Sequence, residues 1–307
     1  MKKNSKNGFT LIELSIVLVI IGLIVGGILM GQDLITAAAA RAQISQIEKY
    51  QAAANTFRSK YGYLPGDIPD PIASQYGFVT RGTVQGQGDG NGLLEGFTNY
   101  ASGDPSGYGA SGETTTFWHD LSAANLVDGG FNAAYPTVAS CSWCGGGITV
   151  ASYLPQAKIG GGNYVYVFSA GTYTGMSPNT WIPSGGNYFG VGAVPDVGWF
   201  YSVSQGLTVQ QAYNIDKKID DGLAQTGRVI TVVPGGPSGG LYGYWVTPAG
   251  TTQATASGSG YAPITAPTAG STATCFDNNS TLNAVQQYSM GYNNGSSINC
   301  ALALRFQ

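Results

Sequence analysis

The chain has 307 residues, a formal net charge of −3 and only 9% charged residues, against about 25% in ordinary globular domains. With 47 glycines, that profile suits a loop-rich β structure working outside the cytoplasm. The acidic balance excludes a general phosphate-binding surface, which needs clustered Lys and Arg, so no nucleic-acid partner is expected.

Lys2, Lys3 and Lys6 precede an apolar run, Phe9–Met30, in which Glu13 is the only charge. The run is long enough to span a bilayer, and lysines before it predict a cytoplasmic amino terminus with the remainder exported. A carboxylate at the centre of such a span costs roughly 2.5–3.5 kcal/mol, so Glu13 calls for a partner. The competing reading is a secretory signal cleaved after Ala40, in the stretch TAAAAR at 36–41. The helical pattern does not stop there. Ile44, Ile47, Tyr50, Ala54, Phe57 and Tyr61 recur at steps of three or four, and Gln43, Gln46, Lys49 and Arg58 fall off that stripe. Gly62 offers a C-cap and Pro65 a stop signal. No proline interrupts residues 9–61, which as one helix would extend about 80 Å. Gly22-x-x-x-Gly26 and Gly27-x-x-x-Gly31 have the small-residue spacing that lets helices approach closely.

The short basic leader, Gly8-Phe9-Thr10-Leu11-Ile12-Glu13 and the amphipathic continuation resemble the amino terminus of type IV prepilins and type II secretion pseudopilins, over roughly residues 1–65. The resemblance implies removal of a leader, residues 1–8, by a membrane prepilin peptidase that cuts between Gly8 and Phe9 and methylates Phe9. It also implies that Glu13 pairs with the Phe9 amine of a neighbouring subunit during assembly. The implied partners are other pilins in a homo- or hetero-oligomeric filament and an inner-membrane assembly platform. The implied location is the bacterial inner membrane with the head in the periplasm, then an extracellular or periplasmic filament. The chain departs from many type IV pilins in having no proline in the helix after the apolar run.

Residues 62–307 read as the exported globular head. Helices are predicted at 115–127 and at 207–222, the second with a capping box from Thr208 and Gln211 and a C-cap at Gly222. Strands are predicted at 147–154, 163–170, 188–194, 199–204, 228–233, 241–246 and 300–306, forming an antiparallel sheet. Segments 80–116 and 247–274 read as irregular surface loops. The expected fold class is α+β: a long transmembrane and amphipathic helix, residues 9–61, packed on a loop-rich antiparallel β-sheet head.

Cys141, Cys144, Cys275 and Cys300 allow three pairings, and spacing favours 141–144 with 275–300. The second would close a carboxy-terminal loop, 275–300, as a terminal disulfide does in many type IV pilins. In GQGDGNGLLEG, residues 86–96, Asp89, Asn91 and Glu95 are calcium candidates by partial likeness to an EF-hand loop; Gln87 and Thr98 stand where other ligands belong. GPSGG at 236–240 matches G-x-S-x-G but lies between strand-like segments rather than in a strand-to-helix elbow, and His119 is the only histidine. No enzyme activity and no required cofactor are expected. The reading is a structural subunit of a type IV pilus or pilus-like filament. The alternatives are a minor pilin or tip adhesin binding a surface or glycan, and a type II secretion pseudopilin.

Overall fold

The computed structural model of the chain describes residues 10–97, 105–106, 111–136, 149–169, 186–197, 201–231, 233–234, 241–242, 275–277, 285, 287–291 and 293–307. Helix α1 runs from Leu11 to Tyr61 without interruption. Thr10 is its N-cap: Glu13 N–H donates to Thr10 Oγ1 at 3.3 Å, and Thr10 N–H donates to Glu13 Oε2 at 2.8 Å. At the other end Gly62 adopts φ 83°, the left-handed conformation that glycine reaches without penalty, and its N–H closes on Arg58 O at 2.8 Å. Ala40, the alternative signal-cleavage point, is buried in mid-helix.

The second half of α1 packs into the head through Ile47, Tyr50, Ala53, Ala54 and Phe57, all buried. Gln43 and Gln46, which periodicity puts off the stripe, are buried too. The reason is polar. Gln43 Oε1 accepts from Ile159 N–H at 3.0 Å, Gln46 Oε1 accepts from Lys158 N–H at 2.8 Å, and Gln46 Nε2 donates to Gln156 O at 2.8 Å. Two side-chain amides thus pair with three backbone groups of the 156–159 loop, of which the Ile159 N–H is buried.

Helix α2 is Glu113–Ala123 and α3 is Val209–Ile219. The first ends before the predicted 127 because Asn125 takes φ 57°, outside helical space. The second has the predicted Thr208–Gln211 capping box but closes on Asp220; Gly222 instead donates its N–H to Asp216 Oδ1 at 3.1 Å. A five-stranded sheet forms the centre, made of β1 Asn163–Ser169, β2 Asn187–Val197, β3 Tyr201–Ser204, β4 Val229–Thr231 and β5 Leu302–Arg305. Its order is β1-β2-β5-β4, with β3 also on β2, and every pairing is antiparallel. Strand β5 lies between β2 and β4, with Leu302 opposite both Val191 and Thr231.

Consecutive residues Val165, Tyr166, Val167 and Phe168 are all buried, which requires cover on both faces of the sheet. The strand predicted at 147–154 is replaced, within the described residues, by a 3-10 turn at Val150–Ser152. Val150, Tyr153 and Leu154 are buried at helical rather than alternating spacing. Aromatic rings join α1, α2 and the sheet: Tyr50 meets Trp118 edge-on at 4.8 Å, and Phe189 stacks on Phe306 at 4.2 Å. Val233–Pro234 pairs antiparallel with Leu241–Tyr242, and GPSGG at 236–240 lies outside the described residues.

Cys275 and Cys300 are disulfide-bonded across a sequence separation of 25, with Cα atoms 5.1 Å apart. Cys300 lies opposite Leu207 just before β5, and Cys275 O accepts from Ser289 N–H at 3.0 Å. The bond therefore ties the pairing of 276–277 with 287–288 to the central sheet. Cys275→Ser with Cys300→Ser is expected to cost about 3–4 kcal/mol, read by chemical denaturation of the full chain in detergent. A loss below about 1 kcal/mol would show that the bond is not a staple of the head.

Candidate functional site

Two features draw attention, the exposed half of α1 and an acidic cluster in the head. Leu11–Met30 rises about 30 Å at 1.5 Å per residue, the thickness of a bilayer hydrocarbon core. Among the described residues, α1 is the only helix long and apolar enough to cross a membrane. Its first half is uncovered among the described residues: Leu11 is 87% exposed, Leu23 73% and Met30 73%. A Cβ built at Gly22, Gly26, Gly27 or Gly31 would meet no atom within 4 Å. The packing of this chain therefore does not demand those glycines, and what they permit is close approach by another helix.

Glu13 projects from the first turn of this exposed half. Its Oε2 accepts from Thr10 N–H and from Thr10 Oγ1–H, both at 2.8 Å. In a single subunit the carboxylate is thus held at the helix start by a capping box. That arrangement fixes its position on the first turn and supplies no positive charge.

In the head, the turn leaving α1 is a junction. Gly66 has φ 86°, and a Cβ there would come within 2.5 Å of Glu113 O, so only glycine fits. Its N–H donates to Asp120 Oδ2 at 2.7 Å. Asp120 also receives Arg81 Nη2 at 2.5 Å, in an ion pair whose side chains are both 0% exposed. Beside it the glycine-rich loop wraps two buried carboxylates. Asp67 accepts from Gly90 N–H at 2.8 Å and Gly92 N–H at 2.9 Å, while Glu113 accepts from Gly88 N–H and Glu95 N–H, each at 2.9 Å. Asp67, Asp89 and Glu113 bring carboxylate oxygens within 4.8 Å of one another. Burial pushes Asp67 up to about 7 and holds Glu113 well above the usual carboxylate range, with neighbouring carboxylates adding to both shifts.

Of the loop's calcium candidates, Asp89 joins this cluster. Asn91 and Glu95 stand at its edge: Asn91 Nδ2 donates to Asp89 Oδ2 at 3.1 Å and to Glu95 Oε2 at 3.2 Å, and Asn91 Oδ1 accepts from Leu93 N–H at 2.7 Å. Asp67 and Glu113 were not legible as cluster members, because they lie far from Asp89 in sequence. The donor set is all carboxylate oxygen, which fits a hard cation of the calcium class.

Residues 3–29 match the prokaryotic N-terminal methylation motif. The chain carries a type IV pilin-like amino terminus. No curated protein and no solved structure matches the chain. The pilin-like motif falls on the part of α1 that its own head leaves uncovered, so sequence and exposure mark the same segment. Gly8 and Phe9, the residues expected to flank the processing cut, lie outside the described residues, as do Cys141 and Cys144. The residue missed in this segment is Thr10, although Thr10-x-x-Glu13 is the same capping-box signal read at Thr208–Gln211.

A second acidic group, Asp216, Asp220 and Asp221, is spent on the turn after α3. Asp216 accepts from Tyr288 Oη–H at 2.8 Å, Asp221 from Leu223 N–H at 2.8 Å, and Asp220 from Arg228 N–H. Burial pushes Asp216 up to about 7, above its ordinary 3.8. The folded chain therefore holds a proton there that the unfolded chain releases. The associated stability is full below about pH 3.8 and is lost as pH rises through about 7. Asp216→Asn keeps an acceptor for Gly222 and removes the titration. Thermal unfolding between pH 5 and 8 is expected to fall less steeply for this variant than for the wild type. Parallel slopes would place the titration elsewhere.

Proposed function

We propose that the chain is a structural subunit of a type IV pilus or pilus-like filament. The carrying observation is the division of α1, whose methylation-motif half is exposed and whose second half is built into the head. In this reading, a prepilin peptidase removes residues 1–8 and methylates Phe9. The Leu11–Met30 stretch holds the subunit in the inner membrane with its head in the periplasm. An assembly platform then draws it into a filament with other pilins. The exposed apolar half passes from lipid rather than from water onto neighbouring helices, so packing is driven by the van der Waals contact that Gly22, Gly26, Gly27 and Gly31 permit. Glu13 sets the register by meeting the Phe9 amine of the adjacent subunit. The role is structural and not catalytic.

Immunogold labelling of sheared filaments with an antibody to the head tests the reading. Label along the filament is the expected result, and label confined to the end would make the chain a tip subunit. Filaments without label, with the chain retained in the membrane, would overturn it. Within the same reading, a calcium ion would be held by Asp67, Asp89 and Glu113. Added calcium is then expected to raise the melting temperature of the wild type more than that of Asp89→Asn; equal shifts would leave the cluster a loop scaffold.

A further inference from the structure

A cavity of about 230 Å3 opens where α1, the end of α3 and strands β4 and β5 meet. Its floor includes Ile47, Phe189 and Leu304, all buried, and its rim carries the exposed cations Lys218, Arg228 and Arg305. The chain is acidic overall with 13 Lys and Arg residues, so three around one small opening is a local concentration against the general charge. Ion pairs among the described residues are Lys49–Asp128 and Arg81–Asp120, and neither involves the rim. Arg228 Nη2 donates to Arg305 O at 3.4 Å, and Arg305 Nε donates to Gln307 O at 3.1 Å. Glu48 is the single carboxylate among the lining residues, and Asp220 stands beside the rim, accepting from Arg228 N–H, so three cations face two carboxylates.

An apolar recess rimmed by two guanidinium groups and an ammonium selects for two properties at once. An apolar body gains by leaving water for the floor. A planar acid group matches the forked donors of arginine, which are weakly hydrated and so release water readily. At the ~30 Å3 that a water occupies in the liquid, the cavity holds about eight heavy atoms, the size of a short alkyl chain or one aromatic ring. We propose that this cavity binds an amphipathic organic anion, with its apolar part on Phe189 and Leu304 and its acid group between Lys218, Arg228 and Arg305. The ligand could be a free acid or the anionic group of a lipid, and the two are separable. The site belongs to the head of one subunit and does not depend on filament formation.

The test uses the full chain in phosphatidylcholine nanodiscs, with sodium octanoate as probe and octylammonium as its cationic counterpart, read by titration calorimetry against empty discs. Saturable octanoate binding is expected, with none for octylammonium. Arg228→Ala with Arg305→Ala should weaken it at least tenfold, and Ile44→Trp, which fills the recess and leaves the cations in place, should abolish it. Thermal unfolding checks that each variant is folded. Repeating the titration in discs containing phosphatidylglycerol separates the sources. Weaker octanoate binding there identifies a lipid anion as the occupant, and unchanged binding identifies a free acid. No saturable binding, or binding that survives both the arginine and the Ile44 changes, would overturn the proposal.

Discussion

Glu13→Gln is expected to leave the subunit processed and in the membrane, and to reduce its incorporation into filaments by roughly a hundredfold or more. The estimate follows from removing one partner of a desolvated ion pair, which costs about 3–5 kcal/mol. At about 1.4 kcal/mol per decade, that is two to three and a half orders of magnitude in the association constant. Glutamine is the informative substitution because of the contact with Thr10. It can still occupy the third helical position of a capping box, so the helix start is retained while the charge is lost. Glu13→Val removes both and would confound a fraying helix with a lost pair. Quantitative immunoblotting of the sheared filament fraction against the membrane fraction reads the outcome. Wild-type filament yield from Glu13→Gln would reject the pairing and leave Glu13 as a capping residue.

The second large effect is expected inside the head. Arg81→Leu should destabilise the chain by about 3–5 kcal/mol, because Asp120 would remain buried without its cation. For a head of this size that corresponds to roughly 6–20 °C in melting temperature. Asp120→Leu should cost a similar amount, since it strands Arg81 and also removes the acceptor for Gly66 N–H. The pair is not ideally satisfied: among the described residues, Arg81 Nη1 and Asp120 Oδ1 have no hydrogen-bond partner. Arg81→Leu with Asp120→Leu should therefore cost less than the sum of the single changes, because neither charge is left alone. Denaturant titration of the three variants in detergent gives the comparison. Additive losses would show that the two side chains act independently.

How much of this was legible in the sequence depended on the range of the interactions. The long helix, its Gly62 stop, the α3 capping box and the strands around Val165, Phe189, Ile230 and Leu304 follow from local spacing and residue type. The placement of β5 between β2 and β4 does not, because strand order is set by packing across more than a hundred residues. The burial of Gln43 and Gln46 was hidden because their partners are the backbone of 156–159, which hydrophobic periodicity does not report. The 3-10 turn at Val150–Ser152 was misread because a short apolar run does not distinguish a strand from a buried turn. In the candidate sites the division is the same. Glu13 stands out as a charge in an apolar run, whereas Asp67 and Glu113 reach Asp89 only through the fold.

The amino terminus of the mature protein, determined by mass spectrometry, tests the central claim most directly. The account predicts a chain beginning at Phe9 with a methylated amine. A chain beginning at Arg41 would contradict it: Glu13 would then be absent from the mature protein, and α1 would have no exposed half to assemble.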